Sequence, residues 1–213
     1  MKQRGGIPPL ALHLERKPLV TVLLIAGSPT SPSRSTALLE SVGERLARRG
    51  AEIDRITVRD LPAQPLLLAE WDHPAIQRAI AQVARARVIV VATPVYKAAY
   101  AGVLKVFLDL LAQDALKGKT VLPLATGGSP HHMLALDYAL RPVLHALSAR
   151  QILPGIYATD SQITLTPERA YQVHHDLVHR LDDAAEVLAS EGLKLAPAQG
   201  FAPVAFSSVR CSV

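Results

Sequence analysis

Three short segments carry residue types suited to holding a charged, flat ligand. The first is Gly27-Ser28-Pro29-Thr30-Ser31-Pro32-Ser33-Arg34-Ser35-Thr36, which follows an apolar run and leads into a helical pattern. Glycine lets a chain turn tightly out of a strand. Backbone N–H groups at the start of the next helix then converge on an anion, with the helix dipole behind them. Ser33, Ser35 and Thr36 add hydroxyls, and Arg34 can grip a phosphate through two bonds. The same stretch also reads as an ordinary Ser/Pro turn in which Ser33 caps the helix. The second segment is Ala92-Thr93-Pro94-Val95-Tyr96-Lys97-Ala98-Ala99-Tyr100-Ala101-Gly102. Pro94 stiffens the exit from the sheet, the small residues leave backbone amides open to a flat ring, and Tyr96 can cover or edge that ring. The third, Thr126-Gly127-Gly128, offers further open amides. Each could be a plain turn, but three at one edge of one sheet make a mononucleotide site the better reading.

Other chemistries fit less well. The first loop is neither G-x-G-x-x-G nor G-x-x-x-x-G-K-[ST], which disfavours a dinucleotide Rossmann site and a P-loop NTPase. His131 and His132 sit beside the Gly-Gly turn, and His174, His175 and His179 lie later in the chain. His175 and His179 are one helical turn apart, but Asp176 stands where H-E-x-x-H has glutamate and no third ligand suggests itself. They are expected to be surface histidines, with no metal bound. No Ser-His-Asp arrangement or nucleophile elbow is visible.

The elements that must position these loops alternate along the chain. Leu19–Ala26, Ala51–Val58, Arg87–Ala92, Thr120–Ala125 and Ile152–Tyr157 read as strands. Ser35–Arg49 (ending at Gly50, a good residue after a helix), Pro74–Arg85, Gly102–Ala112, Leu134–Leu147 and Glu168–Glu191 read as helices. This alternation implies an α/β fold: a flavodoxin-like, doubly wound, five-stranded parallel sheet of order 2-1-3-4-5 with its site at the strands' carboxyl ends. Residues 1–18 read as a flexible leader, 19–192 as the domain and 193–213 as a loosely ordered tail. Two helical stretches stand out. Pro142 lacks the N–H that would bond the carbonyl of Tyr138, so a π-bulge or kink is expected there. Gly102, Leu104, Phe107, Leu108 and Leu111 form an apolar face longer than one sheet contact needs, and an exposed patch of that kind marks a partner surface.

Composition narrows the partners. Hydrophobic residues make up 49% of the 213, enough for a large core without disulfides. The formal charge is +5, yet Arg45, Arg48 and Arg49 are separated from Arg85 and Arg87. These groups fall near helix ends and form no nucleic-acid-binding stripe. The single cysteine, Cys211, points to a reducing compartment. No apolar run approaches the ~18 residues of a membrane span, so a cytoplasmic protein with no membrane partner is expected.

Longer strings carry a specific resemblance. They are Ala26-Gly27-Ser28-Pro29 with Pro32-Ser33-Arg34-Ser35, Val91 through Tyr100, Leu104-Lys105 with Leu108 through Leu111, Leu122 through Gly128, and Asp137 through Leu144. Over roughly Val20 to Ile163 the chain resembles the NAD(P)H-dependent FMN reductases of flavodoxin-like fold, above all those of alkanesulfonate utilisation under sulfate starvation. The resemblance implies hydride transfer from NADPH or NADH to FMN, with the reduced flavin passing to a flavin-dependent monooxygenase. It implies that Ser28, Ser33, Arg34 and Ser35 hold the FMN phosphate, and that Pro94, Val95, Tyr96 and Thr126–Gly128 flank the ring system. It also places Tyr138 on a π-bulged helix at the interface of a homodimer or homotetramer, near the flavin, as a modulator. Hydride transfer itself asks for no protein acid or base. An FMN-retaining quinone or azo reductase and a flavodoxin-type electron carrier are the alternatives. Such carriers are usually acidic, whereas this chain is basic.

Overall fold

In the computed structural model, which describes residues 21–166 and 171–193, the apolar runs form one mostly parallel sheet. In chain order its strands are β1 (Thr21–Ala26), β2 (Glu52–Thr57), β3 (Val88–Tyr96), the short β4 (Ala99–Tyr100), β5 (Thr120–Gly127), β6 (Gln151–Ile152) and β7 (Ile156–Thr159). β2, β1, β3 and β5 lie side by side, all parallel. β6 and β7 pair successively with β5 and so form one interrupted fifth position. The long strands therefore keep the expected order 2-1-3-4-5. β4 is an addition, an antiparallel arm folded back on the end of β3.

Strand side chains alternate between two helical layers, as the period of two demands. Val22, Leu24, Val88, Val90, Leu122 and Leu124 meet one apolar layer with Leu38, Val42 and Leu46 of α1 (Arg34–Arg48) and Leu177 and Leu181 of α6 (His175–Val187). Leu23, Ile25, Ile89, Val91 and Val121 meet the other. That layer is built by α2 (Ala63–Leu67), α3 (Pro74–Arg85), α4 (Gly102–Asp109) and α5 (Arg141–Ala146). Gly50 closes α1 at φ +86°, a conformation that favours glycine. Pro74 starts α3 at its first turn, with the His73 ring accepting from the Ala75 N–H at 3.2 Å.

Several expectations change. β3 does not stop at Ala92 but runs through Pro94 to Tyr96, because the chain turns at Lys97-Ala98 and pairs Val95 with Tyr100 and Tyr96 with Ala99. The apolar face of α4 is no exposed patch. Leu104, Phe107, Leu108 and Leu111 are all buried within the protomer, since α4 packs across the sheet beside the exit of β1. The stretch Leu134–Leu147 is not one helix. A 3-10 turn (Pro130–Leu134), a π segment (Leu136–Leu140) and then α5 follow one another, in keeping with the missing N–H at Pro142. The last helix begins at His175 rather than Glu168, because Tyr171–Val173 is strand β9, paired antiparallel with β8 (Ile163–Leu165). The expected leader, the tail beyond Leu193 and Cys211 lie outside the described residues. No helix among the described residues is long and apolar enough to cross a membrane.

Candidate functional site

The carboxyl ends of β1, β3, β5 and β7 open onto one cleft, as parallel α/β sheets favour. One wall comes from the β1–α1 loop. At its root the Gly27 N–H donates to the Ala92 carbonyl at 2.8 Å. A Cβ on Gly27 would stand 2.8 Å from Leu104 Cβ and 3.0 Å from the Ala92 oxygen, so only glycine fits between β3 and α4. Ser28 is buried, and its hydroxyl accepts from the Thr30 N–H at 3.2 Å, which folds the loop back on itself. Ser33 caps α1 by accepting from the Thr36 N–H at 3.4 Å, and its hydroxyl lies 3.0 Å from that of buried Ser35. The capping reading is therefore correct. It is compatible with anion binding, because the first turn of α1 carries no acidic residue and leaves the positive helix end uncompensated toward the cleft.

Arg34 reaches over this wall. Its Nε donates to the Ile163 carbonyl at 3.0 Å, and Nη1 lies 3.6 Å from a carboxylate oxygen of Asp160. Ser28, Thr30, Pro32, Ser33 and Arg34 line the cleft. Ser35 and Thr36 stand behind it; Thr36 lines an adjoining depression shared with Ser33 and Tyr171.

The opposite wall is made where β3 and β5 end side by side, with Pro94 level with Thr126. Pro94, Val95, Tyr96, Thr126, Gly127 and Gly128 all line it. Thr93 lies buried beneath, accepting from the Ala101 N–H at 2.9 Å and donating to the Pro94 carbonyl at 3.0 Å, so it staples the two ends of the β3–β4 hairpin. The hairpin turn places two side-chain-bearing residues in the left-handed region, Lys97 at φ +50° and Ala98 at φ +64°. A Cβ on Gly127 would fall 2.5 Å from the Tyr157 hydroxyl, which itself donates to the Ser129 carbonyl at 2.6 Å. Burial, reinforced by the Asp160 charge, raises the Tyr157 pKa above its ordinary value, so the phenol stays a donor at neutral pH. A Cβ on Gly128 would meet only the Asp160 carboxylate, at 3.8 Å, so the strip beside it is open to a flat group.

Nine of the eleven residues expected to bind a cofactor thus line one cleft. The sequence reading missed Thr30, Pro32, Asp160 and Tyr171. Asp160 follows β7 at the same sheet edge and was findable by position. Tyr171 was hidden by the helical reading of its segment, although Ile163-Thr164-Leu165 and Tyr171-Gln172-Val173 both alternate as strands do. Tyr138 is not in the cleft: it stands 79% exposed on the π segment, against which the β3–β4 hairpin packs. His175 and His179 share the helix α6, one turn apart. His175 lies with His174 and Asp176, all exposed, at 2.9 Å and 3.4 Å from the nitrogens of His175 and His174 to the carboxylate.

Comparison with known proteins decides among the mononucleotide readings. Residues 20–164 match the family described as NADPH-dependent FMN reductase. The chain belongs to that family. It is 48% identical over 165 residues to the FMN reductase (NADPH) of Escherichia coli (strain K12), covering 78% of this chain and 86% of that protein. It is 49% identical over 166 residues to the FMN reductase (NADPH) of Pseudomonas putida strain KT2440, covering 78% and 84%. The apo crystal structure of the NADH:FMN oxidoreductase EMOB superposes with a TM-score of 0.74 at 37% identity, covering 84% of this chain and 91% of that one. The cleft suits the cofactor this family uses. It joins an anion seat of hydroxyls, one guanidinium and a helix end to an open strip beside Gly128.

Proposed function

We propose that this FMN reductase takes FMN as a substrate rather than a resident group, reduces it with NADPH and releases it to a flavin-dependent monooxygenase. The observation that carries this reading is the continuity of an anion seat at the end of α1 with an open strip lined by the ends of β3 and β5. In this reading Ser28, Ser33 and Arg34 hold the phosphate, and Ser35 and Thr36 fix the seat from behind. Pro94, Val95, Tyr96, Thr126, Gly127 and Gly128 bracket the ring system. Bound there, FMN supplies a hydride acceptor and the nicotinamide a donor. The protein side chains supply alignment and charge: Arg34 neutralises the phosphate, Tyr157 stays protonated and braces the Gly127 turn, and no side chain needs to move a proton.

NADPH is the expected donor because the two relatives at 48% and 49% identity are NADPH enzymes. We place the protein in alkanesulfonate sulfur assimilation in the cytoplasm, as a homodimer or homotetramer. With the α4 face consumed by the core, the exposed apolar residues Met133, Leu134 and Tyr138 are the surface we assign to assembly. Tyr138 then modulates flavin retention across that interface. Light scattering that shows a monomer at micromolar concentration overturns this part.

Steady-state oxidation of NADPH and NADH with FMN, FAD and riboflavin tests the activity. The expected order is FMN ahead of riboflavin, since riboflavin lacks the phosphate, with rapid turnover of added FMN. FMN that stays with the protein through gel filtration, with turnover indifferent to added FMN, overturns the substrate reading in favour of a flavin-retaining reductase.

A further inference from the structure

The anion seat holds a group that works against an anion. Among the described residues lining the cleft, Arg34 is the one cation and Asp160 the one carboxylate. Asp160 is not a stray surface acid. Its N–H donates to the Gly127 carbonyl at 3.2 Å, which ties its loop to the end of β5. The loop is also braced from within: the Thr159 N–H donates to the Gln162 side chain at 3.0 Å, and the Gln162 carbonyl accepts from the His174 N–H at 2.9 Å. The carboxylate consequently stands between the two halves of the cleft, 3.6 Å from Arg34 Nη1 and 3.8 Å from the position a Gly128 Cβ would take.

Arg34 does not need Asp160 to keep its place, because its Nε is already anchored on the Ile163 carbonyl. The helix end does not need it either, because it points its dipole at the cleft with no acid in its first turn. What Asp160 does is fill part of the charge that a phosphate would otherwise find. An arriving phosphomonoester meets a guanidinium that is already partly neutralised, and it meets a like charge within a few ångströms.

We infer that Asp160 is a retention-setting residue, an internal counter-anion that competes with the flavin phosphate for Arg34 and keeps phosphorylated flavins exchangeable. The inference rests on the proposed use of FMN as a released substrate and assigns the residue that enforces release. Its effect is confined to phosphorylated ligands. Riboflavin carries no charge at that end and does not feel the competition.

The test is equilibrium titration of the full chain with FMN and with riboflavin, for wild type, Asp160→Asn and Asp160→Glu. Asp160→Asn is expected to tighten FMN binding about tenfold at low salt, through slower dissociation, and to leave riboflavin binding unchanged. The gain should shrink as salt rises toward a Debye length of about 8 Å. Asp160→Glu, which restores the charge, should return the FMN-to-riboflavin ratio toward wild type. If Asp160 merely positioned Arg34, Asp160→Asn would weaken FMN; that result, or an equal change for riboflavin, overturns the inference. Thermal unfolding of each variant shows whether the loop survives, and Asp160→Ala gives a second reading if the asparagine disturbs it. Because the readout is binding, it is separate from the activity. Absence of NADPH oxidation by the wild type would overturn the proposed function, whereas unchanged FMN affinity in both neutral variants overturns this inference alone.

Discussion

The two walls of the cleft are built on opposite principles. The β1–α1 wall is braced by hydroxyl hydrogen bonds around buried Ser28 and Ser35, a capped helix of 15 residues and a glycine wedged against Leu104. The β3–β4 wall is braced through Thr93 at its base, but its turn holds two non-glycine residues at positive φ and it packs on a π segment. Of the two walls only the β3–β4 turn holds non-glycine residues in the left-handed region, and backbone strain of that kind is common where a binding surface must adjust. Under the proposed function, such a division lets the β1–α1 wall, the proposed anchor, seat the flavin phosphate while the ring side adjusts to a second ring.

The largest expected effect that would sharpen this contrast is on the anchor. Ser33→Ala with Arg34→Ala should raise the KM for FMN by about tenfold to a hundredfold, the range of one to two lost charge-assisted bonds. KM for riboflavin should barely move, and loss of the cap should cost about 1 kcal/mol of stability. Steady-state kinetics with both flavins reads this, and an equal shift for the two would dissolve the division between walls. Next comes the wedge. Gly27→Ala should destabilise the fold by about 1–3 kcal/mol through overpacking against Leu104 and the Ala92 carbonyl, as measured by chemical denaturation. A neutral result would mean that the anchor wall yields as easily as the other. The smallest effect belongs to the strained turn. Ala98→Gly removes a left-handed alanine worth roughly 1–2 kcal/mol and loosens the unfolded chain by about 0.4–1 kcal/mol. The net expectation is stabilisation of about 0.5 kcal/mol in the same denaturation experiment. Loss of stability would show that the turn is not strained.

These contrasts also explain what the sequence made legible. Buried parallel strands announce themselves as apolar runs, so β1, the body of β3 and β5 were readable, as was α3 from its N-terminal proline. That the β1–α1 loop would line a cleft was equally readable, because its hydroxyls and guanidinium are concentrated in ten consecutive residues. What escaped depended on pairing between segments. The return of Ala99–Tyr100 onto Val95–Tyr96, and of Tyr171–Val173 onto Ile163–Leu165, leaves little composition signal in strands of two or three residues. The α4 face misled for the same reason. Amphipathic spacing shows that a helix has an apolar side, while only the fold shows whether the same chain covers it. At Tyr138 local chemistry sufficed, since a proline four residues on removes a specific hydrogen-bond donor whatever surrounds it.

Tyr171 gives the cleft an edge built outside the main sheet. The family match ends at residue 164, seven positions before it, yet its side chain borders both the cleft and the depression beside the helix cap. The ribbon that carries it is a two-stranded sheet of its own, hydrogen-bonded to no strand of the main sheet. The ribbon is nonetheless tied to the opposite wall, because the Ile163 carbonyl at its start accepts from Arg34 Nε at 3.0 Å, so exchanging the ribbon would shift Tyr171 and the guanidinium together.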